Sequence, residues 1–89
     1  MNKEYETGYT MGTIQGQQDA NLLIPPHPYK DGEQFFSAGY KNGYLMGYTK
    51  GLSAKLKVSP NEGMKSIIAD RLDEVSNCMI LENKKLNQK

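Results

Sequence analysis

Few of the 89 residues are of types that do chemistry. His27 and Cys78 are the single histidine and the single cysteine, so a zinc or haem site would need carboxylates to complete it, and none stands at ligand spacing. Cys78 falls between Val75 and Met79 on an apolar stripe, where a cysteine acts as a small buried hydrophobe. His27 lies among prolines in a connector, a solvated loop position of the kind that often carries function. Asp70 with Asp73 or Glu74 has the spacing of a general acid and base, but the three share the polar side of an amphipathic helix with Arg71, the pattern of a solvated face. The glycines do not make a phosphate cradle, which needs glycine in a turn before a helix, whereas these lie inside a helical period. The chain therefore reads as no enzyme, with no catalytic residue, metal or cofactor.

Binding chemistry is better represented. Between residues 28 and 58, Lys30, Lys41, Lys50, Lys55 and Lys57 stand against Asp31 and Glu33, five bases to two acids and a local excess of +3. Lysines interleaved with tyrosines suit single-stranded RNA, rings stacking on bases and ammonium groups meeting phosphates. Arginine, the preferred nucleic-acid contact, is absent from the stretch, and tyrosines beside glycines are first of all packing residues. A protein partner is thus the first reading and RNA the second. The surfaces expected to serve either are the connector, with Pro26, His27, Tyr29 and Lys30, and the row Tyr40, Tyr44 and Tyr48 with Lys41 and Lys50. A ring not buried against the chain itself is a natural interface anchor.

The elements that must position these residues are organised around FFSAGYKNGYLMGYTKG. It sets glycine at every fourth position (Gly39, Gly43, Gly47, Gly51) beside an aromatic at every fourth (Phe36, Tyr40, Tyr44, Tyr48). On a strand this register gives no apolar alternation; on a helix it gives a bare groove walled by rings, which lets one backbone approach another. Residues 3–21 repeat it, with Tyr5 and Tyr9 beside Gly8, Gly12, Gly16 and Ala20, so YETGYTMGTIQG and FSAGYKNGYLMG read as a duplication or as two surfaces built to meet. Seven helix-interior glycines together cost roughly 7 kcal/mol relative to alanine, comparable to the whole stability of a small domain. Neither helix would stand alone, and the two ladders are expected to pack on each other.

The remaining boundaries follow from local signals. Asn2 is a plausible N-cap with Glu4 and Glu6 in the first turn. Pro25, Pro26 and Pro28 break the helical pattern over residues 22–32 and make a stiff connector. Asp31 with Gln34 forms a capping box opening a second helix over 33–57. Ser59, Pro60 and Glu62 signal the start of a third, over 60–85. There Met64, Ile68, Leu72, Val75, Met79 and Leu86 form an apolar stripe, widened by Ile67, Cys78 and Leu81, and residues 64–86 are expected to fold back on the first two helices or zip against a second copy. The expectation is a single all-α domain, 1–89: a glycine-ladder helical hairpin followed by an amphipathic third helix, associating with itself. A net charge of +1 excludes binding of nucleic acid driven by bulk charge. No stretch has the layout of a signal peptide or the apolar length of a membrane helix, so a cytoplasmic location is expected.

With those residues in view, the middle of the chain resembles the ribosome modulation factor group of small bacterial and phage proteins. The resemblance lies in a glycine-tyrosine helix (Gly8, Tyr9, Gly12), a Pro-Tyr connector (Pro28, Tyr29) and an aromatic-x-x-glycine-aromatic core (Phe36, Gly39, Tyr40), within roughly residues 5 to 48. It implies a two-helix hairpin that docks on the small ribosomal subunit and silences translation. Independently of it, the reading preferred from the residues is a small protein-binding regulator or inhibitor, bacterial or phage, that occupies a site on a larger host protein or assembly.

Overall fold

The computed structural model describes the backbone of residues 2–87 and the side chains of residues 2–80. Three helices form: α1 (Lys3–Asn21), α2 (Gln34–Lys57) and α3 (Glu62–Asn87), with no strand among the described residues. Asn2 caps α1, its side-chain oxygen accepting the Tyr5 amide at 3.1 Å, and Glu4 and Glu6 meet the positive end of the helix dipole. Leu23, just past the end of α1, takes a left-handed φ of 59°, and its carbonyl accepts the Arg71 Nε–H at 2.9 Å.

Two of the expected caps are displaced. The second helix is opened by Glu33, whose carboxylate accepts the amides of Phe35 and Phe36 at 3.1 and 3.2 Å. Asp31 does not cap it, because Gly32, at φ 155°, turns the chain between Asp31 and the helix. At the other junction Ser59 sits at φ 54° and its amide bonds back to the Leu56 carbonyl, so it terminates α2 in the left-handed manner instead of starting α3. Asn61 takes the capping role, its Oδ1 accepting the Met64 amide at 2.8 Å, and Pro60 falls outside the helix that it was expected to open.

The larger correction concerns direction. A methyl placed on Gly8 would collide with the Phe36 carbonyl and lie 2.9 Å from the Tyr40 amide; on Gly12 it would meet Tyr40 and Tyr44, and on Gly16 Tyr44 and Tyr48. Reciprocally, one on Gly39 would meet Tyr5 and Tyr9, one on Gly43 would meet Tyr9, and one on Gly47 would meet Thr13. Partners ascend together along both helices, so α1 and α2 run parallel. They are not the hairpin that the repeated ladders suggested and the resemblance implied. A short turn cannot join parallel helices, and residues 22–33 must return along the pair. A methyl on Gly51, last of the row, would lie 2.7 Å from the Ala20 methyl.

The antiparallel pair is α2 with α3. After the turn at residues 58–61 α3 folds back, burying Ile68 and Val75 in one cluster with Leu45, Tyr48 and Leu52 while Leu72 and Cys78 pack against its edge. Leu81 and Leu86, expected on the same stripe, lie outside the described side chains. Asp70 and Asp73 are exposed, as a solvated face requires, but Arg71 and Glu74 are half-buried and ion-paired at 2.8 Å. Among the described residues the backbones of α1 and α3 do not approach each other, which leaves α2 in the middle of the molecule.

Candidate functional site

The returning segment, Leu22–Glu33, is a strap laid along α2. Polar contacts hold it to α2, most of them through its backbone, and Arg71 of α3 holds the Leu23 carbonyl at its start. The Tyr48 hydroxyl donates to the Ile24 carbonyl at 2.5 Å; the His27 amide donates to the Tyr44 hydroxyl at 3.0 Å; the Ser37 hydroxyl donates to the Lys30 carbonyl at 2.9 Å. The Lys30 ammonium lies 5.4 Å from the centre of the Tyr40 ring. Strap residues 24, 27 and 30 thus descend helix residues 48, 44 and 40. The match is metrical: six steps of extended proline-rich chain rise roughly 19 Å, while the eleven helical residues from Tyr48 back to Ser37 rise roughly 17 Å.

The tyrosine row fits this task because its rings stack edge over edge at 6.0 Å (Tyr40 and Tyr44) and 5.8 Å (Tyr44 and Tyr48), aligning their hydroxyls along one line. Burial pushes all three phenols up. Tyr48 reaches about 12, desolvation outweighing the nearby Arg71, which pulls it down. Tyr44 is raised further, by desolvation first and then by its hydrogen bond to Asp19. Tyr40 moves the same way, again by desolvation first. Asp19 is itself buried at 8% exposure and accepts both the Tyr44 hydroxyl at 2.5 Å and the Gln15 amide at 2.8 Å. Donors and acceptors are satisfied within this network, which ties α1, strap and α2 together.

The sequence-derived site residues therefore divide. Tyr40, Tyr44 and Tyr48 are buried, at 6%, 0% and 0% exposure, so the expectation that this row faces a partner is corrected: strap and α3 already cover it. Tyr29 is 61% exposed, and His27 and Lys30 are exposed beside it, while Pro26 is half-buried and Pro28 buried. Tyr29, Lys30 and Lys41 come together, lining with Asp31, Gln34 and Ser37 a groove of about 310 Å³. Lys50 is not part of it. With Lys55, Gln17, Asn21 and Val58 it borders a second groove of about 420 Å³ where α2 outruns α1. The seven ladder glycines lie at the α1–α2 contact.

Sequence reasoning passed over Asp19, placed Arg71 on a solvated face and read Pro28 only as part of the connector. Asp19 left a readable signal: an acid in the last turn of a helix opposes the dipole and calls for a partner from outside the helix. Arg71 left none, since the carbonyl it binds belongs to a residue forty-eight positions away.

Among the described residues no group of three or more His, Cys, Asp or Glu side chains could hold a metal ion, and no helix is long and apolar enough to cross a membrane. Compared with protein-family models, with curated proteins and with solved structures, the chain matches none.

Proposed function

We propose that this chain is a small non-enzymatic binding protein, a bacterial or phage regulator or inhibitor acting in the cytoplasm, and that it occupies a site on a larger host protein or assembly through its strap face. The observation that carries the reading is how the strap is held. Its backbone is pinned to the tyrosine row, leaving the side chains of His27 and Tyr29 exposed, with the Lys30 ammonium held beside them over the Tyr40 ring. A segment already fixed loses little conformational freedom on binding, and an exposed tyrosine is among the commonest interface anchors.

RNA of the host ribosome is the second reading. It draws on the same groove, which Tyr29 lines together with Lys30 and Lys41, and on the resemblance to the ribosome modulation factor group. Against it, Lys50 and Lys55 border a different groove, so the basic side chains do not form one continuous track.

Capture from a bacterial lysate, with and without nuclease and across a salt series, separates the two. The protein-binding reading expects a retained protein that survives nuclease and moderate salt and is lost with Tyr29→Ala. Retention of ribosomes that collapses steeply with salt supports the RNA reading instead. Capture unaffected by Tyr29→Ala removes the strap face from either.

A further inference from the structure

Three sides of α2 are occupied. Helix α1 fills the glycine row, the strap covers the tyrosine edge, and α3 covers Leu45 and Leu52. The fourth side, opposite the strap, is bare: Phe35, Asn42, Met46, Lys50, Ser53 and Lys57 recur at intervals of three, four or seven and are all exposed, Phe35 at 49% and Met46 at 45%. Beside them Asn42, Leu45, Met46, Thr49 and Met79 line a shallow groove of about 260 Å³. The molecule is a slab of 41 × 27 × 19 Å, three helices side by side with a strap on one face. Small domains ordinarily close their core with two packed layers, and on this face the second is missing.

We propose that a second copy of the chain supplies it, α2 lying antiparallel to α2 across a two-fold axis at Met46. Charge selects that arrangement. The entrance of α2 is net acidic, Asp31 and Glu33 against Lys30, and its exit is basic, with Lys50, Lys55 and Lys57. Antiparallel pairing sets the basic exit of each copy over the acidic entrance of the other, whereas parallel pairing sets like against like. With Met46 on the axis, Lys57 falls opposite the turn that carries Glu33 and Phe35, so its stem covers the ring and its ammonium meets the carboxylate. The patch is self-complementary, as a two-fold interface must be. A face of 41 × 27 Å offers more than the roughly 800 Å² per partner that a stable interface buries. Of residues 64–86, where self-association was expected, Ile68 and Val75 turn inward to α2; the seam proposed here is a separate one, on α2. This proposal is independent of the strap's partner, and either can fail while the other holds.

Light scattering on the full chain, from micromolar to millimolar, reads the oligomer directly. A dimer is expected, with Met46→Glu and Lys57→Glu each raising its Kd by at least about tenfold while the helical circular dichroism spectrum stays that of the parent. In a Cys78→Ser background, Met46→Cys is expected to cross-link two chains on mild oxidation, since the axis brings position 46 to itself. A chain that stays monomeric to millimolar overturns the proposal, and so does a dimer indifferent to both charge variants or a Met46→Cys variant that does not cross-link. If Met46→Glu disturbs the fold, Lys57→Glu at the rim and the cross-link still decide.

Discussion

A phenylalanine at position 44 would fill the same space as the tyrosine, but Asp19 would lose one of its two donors and the His27 amide its acceptor. Leaving such groups short costs about 1–3 kcal/mol. Tyr44→Phe is therefore expected to lower stability by that amount in a urea titration, a substitution that volume alone would call neutral. The same hydroxyls make stability depend on pH at the alkaline end. Each of these phenols ionises near 10.0 when unfolded and higher when folded, Tyr48 at about 12. The folded state thus holds protons that the unfolded state has released, and stability falls as pH rises. Their contribution is fully present below pH 10 and is lost as the pH climbs through 12. Melting temperature against pH, with tyrosinate absorbance as the second readout, is expected to show three rings ionising only as the protein unfolds. Glycines give the other residue-scale contrast. Gly43→Ala drives a methyl into the Tyr9 backbone, 2.8 Å from its carbonyl carbon, whereas Gly63→Ala meets nothing nearer than the Asn61 Oδ1 at 3.6 Å. The first is expected to destabilise by several kcal/mol or unfold the chain, and the second to stabilise by up to about 1 kcal/mol through helix propensity.

Between elements, the ladders were legible because glycine at every fourth residue has few helical uses other than close approach. Their direction was not, because two copies of one motif pair equally well on paper in either sense. The clue lay in the connector. An antiparallel helix pair needs a loop of two to five residues, and here twelve separate Asn21 from Gln34, three of them prolines. Helix α1 spans roughly 28 Å, and twelve extended residues reach roughly 37 Å, enough to return with little slack. The tyrosine row was read as a possible interface for a related reason: rings spaced for packing look alike whether their cover comes from a partner or from the chain's own strap. Deleting Pro25–Pro28 leaves eight residues, roughly 25 Å of reach. That variant is expected to lose the monomolecular α1–α2 pair, either unfolding or exchanging α1 between chains, and circular dichroism with light scattering distinguishes those from the parent. Four Gly-Ser residues added after Lys30 leave all three tyrosine contacts in place and are expected to cost under about 1 kcal/mol.

At the scale of the molecule the two halves of the core are unequal. Helix α1 meets α2 backbone to backbone, with six of the seven ladder glycines buried, and the strap and the Asp19–Tyr44 bond bind that unit from outside. Helix α3 meets α2 through side chains such as Ile68 and Val75, both buried, and Arg71 ties it to the Leu23 carbonyl. Segments joined by fewer buried contacts open first. Native-state hydrogen exchange is accordingly expected to show amides 68–78 of α3 exchanging through a partial opening, while amides 39–52 of α2 and 9–19 of α1 exchange only on global unfolding. Arg71→Ala should lower protection in α3 and at the strap entrance around Leu23 without changing that of the glycine ladders. Equal protection in all three helices would instead mean that the eight-residue core cluster closes in a single cooperative step, with α3 as integral to the fold as the paired ladders.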